Sequence, residues 1–139
     1  MNDSASGGRR FIHEYFADED RDLYYELDSD GFAVRNVDVD RATGEPASAV
    51  SRPEWDTARD YGDLYEYMAK FGGVVEGNIG EMLESPEPDE VITAAEFEAV
   101  WNRCRADLQR RWTSGGREAY ERKAASSQRW KPLKEREPP

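Results

Sequence analysis

The sequence predicts an α+β fold: a small antiparallel β-meander of three to five strands, one long C-terminal amphipathic helix packed on the sheet, and a second helix in a mid-chain insertion. Three observations carry this prediction. The first fifty residues alternate apolar and polar side chains with period two, in short runs parted by turns, as half-buried strands do. Residues 57–71 switch to apolar spacings of three and four, the period of a helix with one buried face. Ile92-Thr93-Ala94-Ala95-Glu96-Phe97 then carries a capping box, Thr93 with Glu96, inside a staple of Ile92 and Phe97, which is how a helix starts.

The elements follow in order. Arg10 to Phe16 places Phe11, His13 and Tyr15 on one face and Ile12, Glu14 and Phe16 on the other, a first strand. After the charged turn Asp18–Asp22, Leu23 to Leu27 directs Leu23, Tyr25 and Leu27 inward and Tyr24 and Glu26 outward. Asp28-Ser29-Asp30-Gly31 is a tight turn whose glycine takes a positive φ. In the third strand, Phe32 to Val39, the apolar phase slips from Phe32 and Val34 to Val37 and Val39; a bulge near Arg35-Asn36 accounts for this, as does burial on both faces. Pro46 to Val50 makes a short edge strand.

Ser51 to Glu54 breaks the sheet pattern and opens a helical region. Between Thr57 and Phe71, the residues Tyr61, Leu64, Tyr65, Met68 and Phe71 define one amphipathic helix, ended by Gly72-Gly73, with Tyr61, Leu64 and Met68 in the core. Val74 to Ile79 reads as a short strand, Gly80 to Glu84 as a helical turn, and Ser85 to Glu90 as a proline-bearing acidic loop. The long helix carries Phe97, Val100, Trp101, Cys104, Leu108 and Trp112 on one stripe and stops at Thr113–Gly116. Arg117 to Gln128 is a marginal helix. In domain terms, residues 1–8 are a disordered leader, 9–112 a single acidic α+β domain, and 113–139 a basic, largely flexible tail.

Charge divides the chain the same way. The net charge of −11 combines residues 1–100, with 25 acids and 8 bases, and residues 101–139, with 5 acids and 11 bases. A body at −17 faces a tail at +6. An aromatic content of 12% argues against a wholly disordered acidic chain. The acidic body argues against binding to a phosphate backbone, except weakly through the basic tail. No run of apolar residues is long enough to span a membrane. The single cysteine, Cys104, permits no internal disulfide and fits a reducing cytoplasm.

Tyr25-Glu26-Leu27-Asp28, then Gly31, then Val34-Arg35-Asn36-Val37, and finally Ile92-Thr93 with Phe97-Glu98-Ala99-Val100-Trp101 resemble the pattern of an uncharacterised family of small acidic bacterial domains. In that pattern a Y-x-E-x-D strand precedes an R-x-V strand, and an I-[ST]-x-x-x-F-E-x-x-W helix closes the domain. The resemblance covers roughly residues 9–104, with a departure at 51–80. It implies a fold and carries over no catalytic residue. In character such domains are similar to bacterial toxin-immunity proteins.

The chemistry-bearing residues form no recognisable catalytic set. His13 is the single histidine, and strand alternation points it away from Glu14. Cys104 lies mid-stripe, where cysteine acts as a small hydrophobe. Glu26 to Gly31 hints at a calcium loop, but the twelfth position holds Val37 where a bidentate Glu is needed. One His and one Cys cannot make a tetrahedral zinc site, and no phosphate-loop or cofactor motif occurs. The sequence therefore predicts a non-enzymatic, cytoplasmic acidic binding protein without metal or cofactor. Its expected role is an immunity-type inhibitor that occludes the positive site of a cationic toxin or nuclease. A regulatory interaction module or DNA mimic is the alternative, and a small enzyme using His13, Glu26 and Arg35 the last. Candidate partner-binding residues are the aromatics Tyr24, Trp55, Tyr65 and Tyr67, and the acids Glu26, Asp28, Asp30, Glu81, Glu84 and Glu87, because aromatic anchors within a charged field dominate interface energetics.

Overall fold

The computed structural model describes residues 8–83 and 90–126. Strands β1 (Arg10–Phe16), β2 (Arg21–Leu27), β3 (Ala33–Asp40) and β4 (Pro46–Ser51) form one antiparallel sheet in chain order. Helix α1 (Arg52–Asp60) and helix α2 (Leu64–Phe71) form a hairpin after it; α3 (Ile79–Met82) is a single turn. Helix α4 (Ala94–Arg111) leads through a kinked turn at Trp112–Gly116 into α5 (Arg117–Ser126). The architecture is α+β, as the sequence predicts.

Both faces of the sheet are covered. On one, Phe11, Val37, Val39 and Ala49 meet Phe97, Cys104 and Leu108 of α4, with Tyr24, Ile92, Val100 and Trp101 at the edges. On the other, Ile12, Tyr25, Leu27 and Ala33 pack against Ile79, Val75 and Leu83. Phe97 is fully buried, which contributes about 2–3 kcal/mol by removal of apolar surface from water. The capping box starts α4 as the sequence predicts: Thr93 Oγ1 accepts from Glu96 N at 3.0 Å, and Glu96 Oε1 accepts from Thr93 N at 2.9 Å.

Two-sided burial corrects the orientation read from β2. Tyr25 and Leu27 do point into a core, but it is the smaller one, under the Val75–Leu83 segment. The main helix lies on the face of Tyr24 and Glu26, which the sequence places outward. Alternation shows which residues share a face, and a polar residue on a second core face disguises that face as solvent.

In β3 both explanations of the phase slip apply, with the bulge one residue earlier. The register passes from Glu26 opposite Arg35 to Leu27 opposite Ala33, which makes Val34 the extra residue. Val74–Ile79 forms no strand; Asn78 alone makes an isolated bridge, to Phe32. The segment is instead fastened by Asn36, 3% exposed, whose Oδ1 accepts from Val75 N at 3.1 Å and whose Nδ2 donates to the Gly73 carbonyl at 3.4 Å.

The single helix expected between Thr57 and Phe71 is two. Gly62 takes φ +81 and breaks it, and Asp63 N returns to the Ala58 carbonyl at 2.8 Å. The break rotates Tyr61 off the buried stripe: it is 79% exposed, and Met68 40%, where the sequence places both in the core. Leu64 turns inward as expected, and Tyr67 and Phe71 are half-buried beside it. The expected tail is helical through Ser126, with Tyr120 packed 5.8 Å from Trp112. Residues 1–7, 84–89 and 127–139, including Glu84 and Glu87, lie outside the described residues.

Two glycines separate backbone strain from steric clash. At Gly31 (φ +96) a Cβ would overlap Asn78 Oδ1 and lie 3.1 Å from Gly80 Cα; at Gly44 (φ +77) it would meet nothing within 4 Å. Gly44→Ala is expected to cost roughly 1–2 kcal/mol of left-handed strain, and Gly31→Ala at least about 1 kcal/mol more through overpacking. Urea denaturation followed by tryptophan fluorescence measures both; equal costs would contradict this packing of α3 on the β2–β3 turn.

Candidate functional site

Where β2, β3 and α4 meet, the Arg35 guanidinium is partly buried and held by two carboxylates. Its Nε donates to Glu26 Oε1 at 2.5 Å, its Nη1 to Glu98 Oε1 at 3.1 Å, and its Nη2 to Glu98 Oε2. Its guanidinium carbon lies 4.8 Å from the Phe97 ring centroid and 4.9 Å from that of Trp101. Glu26 is 8% exposed and takes a second arginine, Arg9, at 3.0 Å. Glu26 and Arg35, candidates for a partner surface and for enzyme chemistry, are instead a partly buried ion pair.

A second arginine repeats the arrangement on the hairpin side. Arg105 donates from Nε to the Ala49 carbonyl at 2.8 Å, from Nη2 to Tyr67 Oη at 3.0 Å, and to the Glu54 carboxylate. Its guanidinium packs 3.7 Å from the Phe71 centroid and 4.4 Å from that of Trp101. Tyr67 Oη in turn donates to Glu54 Oε1 at 2.8 Å. Burial pushes the Tyr67 hydroxyl up to about 12. Burial also favours the neutral form of Glu54, but hydrogen bonds from Arg105 and Tyr67 outweigh it and hold the carboxyl below its usual range.

His13 is tied into the sheet. Its Nε2 donates to Asp22 Oδ1 at 2.7 Å, and its ring stacks on Tyr24 at 4.6 Å. The sequence rules out Glu14 by strand alternation and groups His13 with Glu26 and Arg35; the cross-strand register supplies Asp22 instead. Arg41 donates to the same carboxylate and, with His13, holds it below its usual range. Cys104 is fully buried, and burial raises its thiol, the reverse of what a nucleophile needs. Among the described residues no group of three or more His, Cys, Asp and Glu side chains is placed to hold a metal ion, and no helix is long and apolar enough to cross a membrane.

The remaining candidates separate into two regions. Asp28 and Asp30 sit on the β2–β3 turn, where Asp28 Oδ1 accepts from the amides of Asp30 and Phe32; Glu81 is nearby on α3, which is tied to this turn by Gly80 N donating to the Gly31 carbonyl at 2.9 Å. Trp55, Tyr65 and Tyr67 share the α1–α2 hairpin. Trp55 and Tyr67 are half-buried in an edge-to-face pair at 6.2 Å, and Tyr65 is 58% exposed. Tyr24 is half-buried beside α4. Between α1 and α2 lies a groove of about 540 Å³, walled by Pro53, Ala58, Tyr61, Tyr67 and Phe71 and rimmed by Glu54, Asp63, Glu66 and Lys70.

Sequence reasoning misses Arg105, Glu54 and Glu98 as organising residues. A signal for two of them is present: Glu98 follows Phe97 in the helix motif, and Arg105 stands at i+4 from Trp101, on the same face. No family model, curated protein or solved structure matches the chain.

Arg35 holds the Glu98 carboxyl below its usual range. A carboxyl that is more acidic in the folded state adds stability above its unfolded value, about 4.3 for Glu, and loses it as pH falls through the folded one. Stability is therefore expected to hold from neutral pH to about 5 and then to fall. Because Glu98 is half-exposed, Glu98→Gln is expected to cost about 1 kcal/mol at pH 7 and to flatten the acid limb, as read by urea midpoints across pH. An acid limb identical in the variant and the parent chain would contradict the assignment.

Proposed function

We propose that this protein is a non-enzymatic acidic inhibitor of the immunity type, acting in the cytoplasm by covering the positive site of a cationic toxin or nuclease. The observation that carries the reading is how charge is distributed between interior and surface. Five of the seven arginines in residues 1–100 pair with carboxylates of the same body: Arg9 and Arg35 with Glu26, Arg21 with Asp38, Arg41 with Asp22 and Arg59 with Asp56; Arg10 is exposed. Asp18, Asp30, Asp63, Glu66 and Glu81 are exposed and make no ion pair with the described residues. Most of the body's arginines are thus engaged by its own carboxylates, while further carboxylates at the surface stay unpaired among the described residues.

Such a surface steers a basic partner by its long-range field and raises the association rate. Occlusion requires no chemistry from the inhibitor, which fits Glu26, Arg35 and His13 being engaged in ion pairs and hydrogen bonds and Cys104 being buried.

The test is co-purification of the full chain with basic proteins at low salt, followed by a nuclease assay on whatever is retained. A cationic enzyme is expected to be retained and inhibited in a stoichiometric complex, with affinity falling about tenfold or more from roughly 50 to 300 mM salt as the field is screened. Retention of an uncharged or acidic partner with salt-independent affinity would reject electrostatic occlusion.

A further inference from the structure

The groove between α1 and α2 differs from the rest of the acidic surface. Its volume of about 540 Å³ lies in the range of ligand-sized clefts, roughly 300–1,000 Å³. Its walls are aromatic, and at its mouth stands Tyr61, the most exposed of the large hydrophobic side chains in the described residues at 79%. Met68, 40% exposed, extends apolar surface along α2. Tyrosine and methionine are enriched at interface cores.

Its charge is set by what is already paired. Glu54 is committed to Arg105, whereas Asp63 and Glu66 are exposed and make no ion pair with the described residues; Lys70 is the lining cation. The walls already hold one guanidinium from within: Arg105 lies on Phe71 and is bound by Glu54 and Tyr67. An aromatic face with two acceptors around a guanidinium is thus built once by this hairpin. Tyr61, Asp63 and Glu66 offer the same groups on the solvent side.

We infer that the α1–α2 groove is the docking site for a basic segment of a partner protein, which enters with an arginine side chain against Tyr61 and between Asp63 and Glu66. This rests on the acidic-inhibitor reading and assigns it a place on the molecule. Planar guanidinium groups stack on aromatic rings and pair with carboxylates in a way that the compact ammonium of lysine does not, so arginine is preferred.

The experiment is an amide NMR titration of the full chain with poly-arginine and with poly-lysine, repeated on charge-reversal variants. Shifts are expected in residues 53–71, with poly-arginine the tighter probe. Asp63→Lys with Glu66→Lys should weaken poly-arginine binding about tenfold or more, and Glu45→Lys with Glu76→Lys, an equal change of charge elsewhere, about threefold or less. Tyr61→Ala should weaken it about threefold to tenfold without altering the charge. Equal losses from both charge pairs, or shifts spread over the acidic surface, would overturn the assignment in favour of a diffuse field. Trp130→Ala shifting groove resonances in the peptide-free chain would give the groove to the protein's own C-terminal residues. Self-association abolished by Tyr61→Ala would give it to a second copy. A basic nuclease still inhibited equally by the Asp63/Glu66 variant would remove the groove and leave the inhibitor reading standing; failure of every basic probe to bind anywhere would remove both.

Discussion

Two guanidinium groups pack on the ring of Trp101, Arg35 at 4.9 Å and Arg105 at 4.4 Å from its centroid, and carboxylates close both. Through Arg35, α4 is fixed to β2 and β3; through Arg105, it is fixed to β4 and the helical hairpin. Contacts of this kind contribute roughly 0.5–2 kcal/mol each, and loss of Glu26, the most buried of the paired carboxylates, is the costliest because it leaves Arg35 uncompensated. The two arginines therefore set where the helix sits, while Phe97, Cys104 and Leu108 supply the apolar burial beneath it.

That arrangement links fold to surface. A chain with 30 acids and 19 bases must hold a compact body together against its own repulsion. Placing arginines among aromatic rings and carboxylates at element junctions neutralises the interior, and the excess negative charge lies outside. The proposed complementarity to a basic partner would rest on the same residues that stabilise the fold. Glu26, Phe97, Glu98 and Trp101 all converge on the one guanidinium of Arg35.

Much of the fold was legible from pattern alone. Period two located the strands, and the Thr93–Glu96 box located the start of α4, because both are local rules. The misreadings came from tertiary context. Glu26 looked solvent-facing since an alternating strand does not announce that both of its faces are covered. Tyr61 looked buried since helical spacing was extended across Gly62, whose positive φ cuts the hairpin and leaves that ring at the mouth of the groove. Of the candidate site residues, Trp55, Tyr65 and Tyr67 came together on the hairpin, whereas Tyr24 and Glu26 belong to the frame. Cross-strand partners such as Asp22 for His13 depend on register, which no single strand encodes.

The most direct test of the central role of Trp101 is amide hydrogen exchange on the Trp101→Leu variant, which keeps apolar bulk and removes the ring on which both guanidinium groups rest. Protection is predicted to fall together in β2–β3 around Glu26 and Arg35 and in the hairpin helices 52–71, which have no shared covalent reason to loosen at once. Loss confined to α4, with the strands and the hairpin as protected as in the parent chain, would contradict the claim that one ring and its two arginines hold the parts together.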